Sequence, residues 1–231
     1  MSLVQNAIFC TKTKLCLLAV VIIAITIILA TSLSAEDEEA EESLKFANEK
    51  LDFPTRYLAI RALDLYTGTM YFETGGKQIG HAEKCISCHC ETTWTIYLLN
   101  KEDEIAVVVK KKSWTWADMY DIEEQWKINA TRYKIEYSWS GSGVSKEVYV
   151  IKNSNGNEIA RTDRFPLAFG KTITLNASKS NSTLGVIERP AFELFPTWEI
   201  SVNKTDLVPT YMYGVLASIT TLKEVDDDDD E

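Results

Sequence analysis

Histidine is almost missing from this chain: His81 and His89 are the only two in 231 residues. A Ser- or Cys-based catalytic triad would have to use one of them, and neither stands beside a nucleophile elbow. Positive charge is also short, with 24 Lys and Arg against 34 Asp and Glu and a net charge of -10. Neutralising phosphates needs clustered Lys and Arg, so nucleic acid is excluded as a partner. Carboxylates are plentiful, but no spacing among them singles out a hydrolytic pair. Cysteine is sparse. Cys10 and Cys16 lie near the start, and Cys85, Cys88 and Cys90 are the only others.

What the chain does have, early on, is one long uncharged run. LCLLAVVIIAITIILA occupies Leu15 to Ala30, and no charge appears before Glu36. About 21 residues at 1.5 Å rise give roughly 31 Å of helix, enough to cross a hydrocarbon core. Lys12 and Lys14 precede the run and Glu36, Asp37, Glu38 and Glu39 follow it. Positive-inside bias therefore places residues 1–14 in the cytoplasm, residues 15–35 in the membrane as a signal anchor, and the rest in the lumen or outside. A cleaved signal peptide is the alternative, since Ser32, Leu33 and Ser34 before Ala35 form a small-residue cleavage site. The apolar run is longer than an ordinary signal-peptide core, which favours the anchor. Cleavage would make the protein secreted.

Four N-x-S/T sequons agree with an exterior domain: Asn129, Asn176, Asn181 and Asn203, each two residues before a Ser or Thr. All four follow the anchor. Residues 36–54 form an acidic juxtamembrane stalk in which Ala40, Leu44, Ala47 and Leu51 recur at helical spacing. Phe53-Pro54 ends it, because proline turns the preceding residue away from helix. The closing residues 225–231 are an acidic, solvated tail.

Between stalk and tail the period changes to two, and Gly, Asn and Asp punctuate short β-branched and aromatic runs. MYFETGGKQIGHAEK, TIYLLNKEDEIAVVVKKK and VYVIKNSNGNEIARTDR each read as strand, polar turn and strand. Gly75-Gly76 and Asn155-Gly156 supply the positive φ that tight hairpin turns need. Ile79, Ile105 and Ile159 take equivalent places in the three copies. ITLNASKSNSTLGVIER is a degenerate fourth copy, so a duplicated hairpin pair is expected. With the runs 57–65, 114–122, 131–139 and 197–203 the total is twelve strands without helical crossovers. That predicts an antiparallel sheet curled into a barrel or split into a sandwich.

The last run, Leu207 to Leu222, is uncharged and apolar around most of a helical circumference, so it must be buried. Asp206 is its expected N-cap, with Pro209 in the first turn. Sixteen residues rich in Thr, Ser, Gly and Tyr are short for a membrane span, and the centre of a barrel suits them better.

The hairpins ending in EIAVVVKKK and EIARTDR, the strand TWEISV and the terminal apolar helix resemble the tubby-like barrel of LURP-one-related and phospholipid-scramblase proteins. The resemblance spans residues 55–224 and implies a mainly-β fold, a twelve-stranded antiparallel barrel around a hydrophobic C-terminal helix. The family's phosphoinositide binding, which uses a basic cytoplasmic surface, does not carry over to an acidic exterior domain. Lys110, Lys111 and Lys112 are the only strong basic cluster, and strand alternation splits them between two faces. The acidic calcium-binding stretch of scramblases has no residue-by-residue match either.

Chemistry concentrates in HAEKCISCHC. His81, Cys85, Cys88, His89 and Cys90 include the ligand types zinc prefers, but no second distant knuckle exists to complete a usual structural site. Cys85-Ile-Ser-Cys88-His89 also matches the haem-attachment pattern C-x-x-C-H. A disulfide staple among Cys85, Cys88 and Cys90, its pairing open and one thiol left over for an interchain link, fits an oxidising exterior best. No cofactor is therefore expected, with zinc or haem as alternatives. Trp94, Trp114, Trp116, Trp126, Trp139 and Trp198 are expected to build barrel core and rim, although Trp114 and Trp116 share one strand face. Together these features predict a single-pass, membrane-anchored, non-enzymatic binding module for an unknown protein or lipid ligand. Lipid handling and a Cys/His redox protein are the alternatives.

Overall fold

The computed structural model describes residues 51, 53–62, 68–84, 95–112, 118–125, 131–140, 146–164, 171–190 and 197–228. β1 (Arg56–Arg61), β2 (Thr69–Thr74), β3 (Lys77–Lys84) and β4 (Thr95–Asn100) come first. β5 (Ile105–Lys111), β6 (Met119–Glu124), β7 (Thr131–Ser140) and β8 (Lys146–Asn153) follow. β9 (Glu158–Arg164), β10 (Lys171–Ala177), β11 (Thr183–Arg189) and β12 (Thr197–Val202) complete the strands, and α1 (Tyr211–Asp228) is the C-terminal helix. Each strand pairs antiparallel with its neighbours in sequence, and β12 pairs with β1. The result is the expected closed barrel of twelve strands. The expected membrane segment 15–35 lies outside the described residues, and among the described residues no helix is long and apolar enough to cross a membrane.

Because successive strands reverse direction, every even-numbered strand runs toward the same rim. The β2–β3, β4–β5, β8–β9 and β10–β11 turns lie there, and α1 enters there after β12. We call it the hairpin rim and the other the far rim. Gly75 and Gly76 have φ of 57° and 74°, and Gly156 has 81°, as tight turns require.

One register irregularity recurs in five strand pairs. Phe72 faces Gly80, Leu98 faces Val107, Ile122 faces Tyr133, Ile151 faces Ala160 and Leu175 faces Gly185, and one extra residue follows each pair toward the hairpin rim. The extra residues are Ile79, Ala106, Arg132, Ile159 and Leu184. A bulge at the same height in alternate strands bends the sheet by repeated increments, which is how a barrel of this kind closes. Ile79 and Ile159 are equivalent as expected, and Leu184 extends the series to the fourth copy. Ile105 is not: the bulge falls on Ala106, which moves Ile105 to the outer face at 47% exposure. The β6–β7 pair is a fifth copy that the sequence hid.

Inward residues alternate along the strands and meet α1 in one core that includes Phe72, Leu98, Ile122, Ile135, Ile151, Ile173, Trp198 and Ile200. Fully buried aliphatic side chains of this kind contribute roughly 1.5–3 kcal/mol each. Every residue from Val208 to Leu222 is buried, so the helix fills the lumen as its composition predicts. Its start differs from expectation. Asp206 and Leu207 are exposed and uninvolved in capping; a turn at Pro209 and Thr210 precedes the first helical residue, Tyr211. Within the described residues the helix runs to Asp228, inside the acidic run. The core also begins before residue 55, because Leu51 and Phe53 are buried in it. The Phe53 ring packs on Tyr57 and Phe72, each at 5.2 Å between centroids.

Candidate functional site on the outer wall

The lumen is filled by buried side chains of the strands and of α1. Near the hairpin rim the Tyr57 hydroxyl donates to the Thr210 carbonyl at 2.8 Å and accepts from the Gly214 N–H at 2.9 Å. Burial pushes that hydroxyl well above the usual tyrosine range, the Gly214 bond partly opposes the shift, and Tyr213 adds to it. The Tyr211 hydroxyl donates to Glu124 Oε1 at 2.7 Å. Toward the far rim, Trp198 Nε1 donates to Thr221 Oγ1 at 2.7 Å. These contacts tie α1 to β1, β6 and β12 and satisfy polar groups that burial would otherwise strand. Trp198 is wholly buried, as the core assignment requires. Trp94, Trp114, Trp116 and Trp126 lie outside the described residues, as does the side chain of Trp139.

With the interior occupied, the outer wall is the surface that the described strands present to solvent. Directly opposed residues on antiparallel strands put their side chains on one face. Register therefore builds a single row across β1 to β5: Ile60 faces Tyr71, Tyr71 faces His81, His81 faces Leu99 and Leu99 faces Ile105. Tyr71 and Ile105 are exposed, and Ile60 and Leu99 are half-buried. Leu58, on the same face of β1, is exposed as well.

His81 sits at the centre of this row and is 8% exposed. Its Nε2 lies 3.2 Å from Glu83 Oε1 and its Nδ1 3.8 Å from Asp103 Oδ1, and the Tyr71 ring packs at 6.2 Å. Glu83 is two residues along β3, on the same face; Asp103 comes from the β4–β5 turn, with φ of 60°. The structure thus gives His81 wall neighbours. Cys85, Cys88, His89 and Cys90, the rest of the sequence-predicted cluster, lie outside the described residues. Among the described residues no group of three His, Cys, Asp or Glu is placed to hold a metal ion.

Beyond β5 the wall changes character. Lys110 pairs with Glu123 at 2.8 Å, Lys112 with Asp121 at 3.1 Å and Lys111 with Asp118 at 2.8 Å. The one basic cluster is consequently matched residue by residue to carboxylates, so it offers no open anion site. Lys152 pairs with Glu136, and Arg161 with Glu158, on the same charged side of the barrel. Arg161 and the Ser178 hydroxyl hold the Glu158 carboxyl below the usual glutamate range.

Asn181, in the β10–β11 turn, and Asn203, after β12, are exposed, whereas Asn176 in β10 is 9% exposed. Asn129 lies outside the described residues. Sequence reasoning missed Tyr57 and Glu124, whose roles depend on a helix more than eighty residues away, and the wall row, whose members are joined only by register.

Comparison of the chain with family models, with curated proteins and with solved structures found no match.

Proposed function

We propose that this is a membrane-anchored barrel of the tubby-like class that faces the lumen or exterior and binds a protein partner without chemistry of its own. The filling of the barrel carries this reading. Val208 to Leu222 occupy the lumen and are buried on every side, which leaves recognition to the wall and rims. The row from Ile60 to Ile105 supplies an apolar centre, and Glu73, Glu83 and Asp103 supply an acidic edge. A partner with an apolar patch rimmed by Lys or Arg matches both features. Lipid handling through the helix would first require the barrel to open, so the packing favours the binding module.

Site-specific photo-crosslinking in intact membranes tests this. Probes at positions 71 and 105 are expected to give one discrete protein adduct, absent with a probe at position 152 and abolished by Leu99→Lys. Adducts to lipid alone, or lipid scrambling by the purified full chain in phosphatidylcholine–phosphatidylserine vesicles, would overturn it. A haem absorption band or stoichiometric zinc in the purified chain would support the metal- or haem-binding redox alternative at residues 81–90 instead.

A further inference from the structure

The three described sequons are not equivalent, although all lie at the hairpin rim. Asn181 occupies the tip of the β10–β11 turn with φ of 51°, and its N–H donates to the Ala177 carbonyl at 2.8 Å. Its side chain is exposed, and so is that of Thr183, the hydroxyl residue of its sequon. Asn203 begins a stretch through Leu207 in which every residue is exposed, Thr205 of its sequon included. Asn176 is different in each respect. It is 9% exposed, pairs with Arg161 of β9 on one side and Thr183 of β11 on the other, and accepts a hydrogen bond on Oδ1 from Thr183 Oγ1 at 3.1 Å. Its neighbour Ala177 is buried too.

We infer that Asn181 and Asn203 carry N-linked glycans and that Asn176 does not, an inference that rests on the exterior placement proposed above. The transfer joins asparagine Nδ2 to the anomeric carbon of a lipid-linked oligosaccharide and breaks the sugar–pyrophosphate bond. The lipid pyrophosphate departs and the amide loses one proton. A sugar on Asn181 or Asn203 projects from the rim into solvent. A sugar on Asn176 would have to grow from a nearly buried side chain on a strand paired on both sides, crowding the Thr183 hydroxyl bonded to the same amide. Thr183 therefore touches two sequons in opposite ways: it completes the Asn181 acceptor and holds the Asn176 side chain in place through Oδ1. Both sugars then stand over β10 to β12, away from the β2–β5 part of the wall row.

Amidase deglycosylation of the full chain isolated from secretory-competent cells reads each site, because the enzyme converts a glycosylated Asn to Asp. Peptide mass spectrometry is expected to find Asp at positions 181 and 203 and Asn at 176. Gel mobility of Asn181→Gln and Asn203→Gln should each show one sugar lost, and Ser178→Ala, which removes the Asn176 sequon alone, should show none lost. Conversion at 176, or sugar confined to Asn129, overturns the inference while leaving the exterior placement intact. No conversion at any of the four sites overturns both.

Discussion

Tyr57 stands inside the first turn of α1, its hydroxyl bridging the Thr210 carbonyl and the Gly214 N–H. Those two groups are four residues apart, the spacing of an ordinary helical hydrogen bond, and a side chain from β1 is inserted between them. The helix is thereby fastened to the strand that closes the barrel against β12.

Removing the hydroxyl strands a buried donor and a buried acceptor. Tyr57→Phe is expected to cost about 1–3 kcal/mol. For a chain of this size each kcal/mol lowers Tm by about 2–4 °C. A thermal melt followed by circular dichroism checks it; an unchanged midpoint would mean that Thr210 and Gly214 close their own bond.

Gly185 makes room for Tyr213. A Cβ there would lie 2.6 Å from Tyr213 Cε1 and 2.7 Å from the Ser201 carbonyl oxygen. Gly185→Ala is expected to destabilise by about 1–3 kcal/mol through overpacking. Tyr213→Phe is expected to act the other way, because the Tyr213 hydroxyl is buried with no hydrogen-bond partner among the described residues. Denaturant midpoints of the two variants should move in opposite directions from wild type, and equal downward shifts would contradict the packing described.

The parts legible in the sequence were those encoded by neighbouring residues. Gly75-Gly76 and Asn155-Gly156 announced their turns, and twelve period-two runs without crossovers announced an antiparallel sheet, with barrel and sandwich both open. Helix α1 was legible because an uncharged run with no polar face has to be enclosed. The bulge was visible only as an isoleucine spacing and was misplaced at Ile105, since two-against-one pairing is a property of two strands rather than one. The β6–β7 copy escaped notice because no Gly marks the segment 126–130. His81 was grouped with Cys85 by proximity in sequence, while its neighbours Asp103 and Tyr71 reach it through register and a turn. The same limit hid the wall row altogether.

Acid should release one clasp on the charged side of the barrel. The Arg161 guanidinium and then the Ser178 hydroxyl hold the Glu158 carboxyl below its ordinary value. A depressed folded pKa means that the unfolded chain binds the proton more tightly, so the stabilisation is present above the unfolded pKa and is lost as pH falls through the folded one. Arg161→Met should therefore differ from wild type at neutral pH and converge with it in acid, once pH has fallen through the lowered folded value. The pair is half-exposed and solvent-screened, so the difference is small. Urea midpoints across that range check it; a gap that widens on acidification would reverse the assignment.

Wall and lumen should respond oppositely to equally drastic changes. Gly214 faces the Phe72 ring, where a Cβ would already lie 2.9 Å from Cε1, and a lysine placed there has neither space nor a route to water. Gly214→Lys is expected to abolish folding, read as loss of soluble chain and of a cooperative melt. Tyr71 and Ile105 leave 38% and 47% of their surface in solvent, so Tyr71→Ser and Ile105→Ser open no cavity in the core. Each is expected to change stability by no more than about 0.5 kcal/mol. Paired with loss of the partner adduct, unchanged melting of the wall variants would assign the row to recognition. A wall variant that melts like a core variant would instead make the row part of the packing.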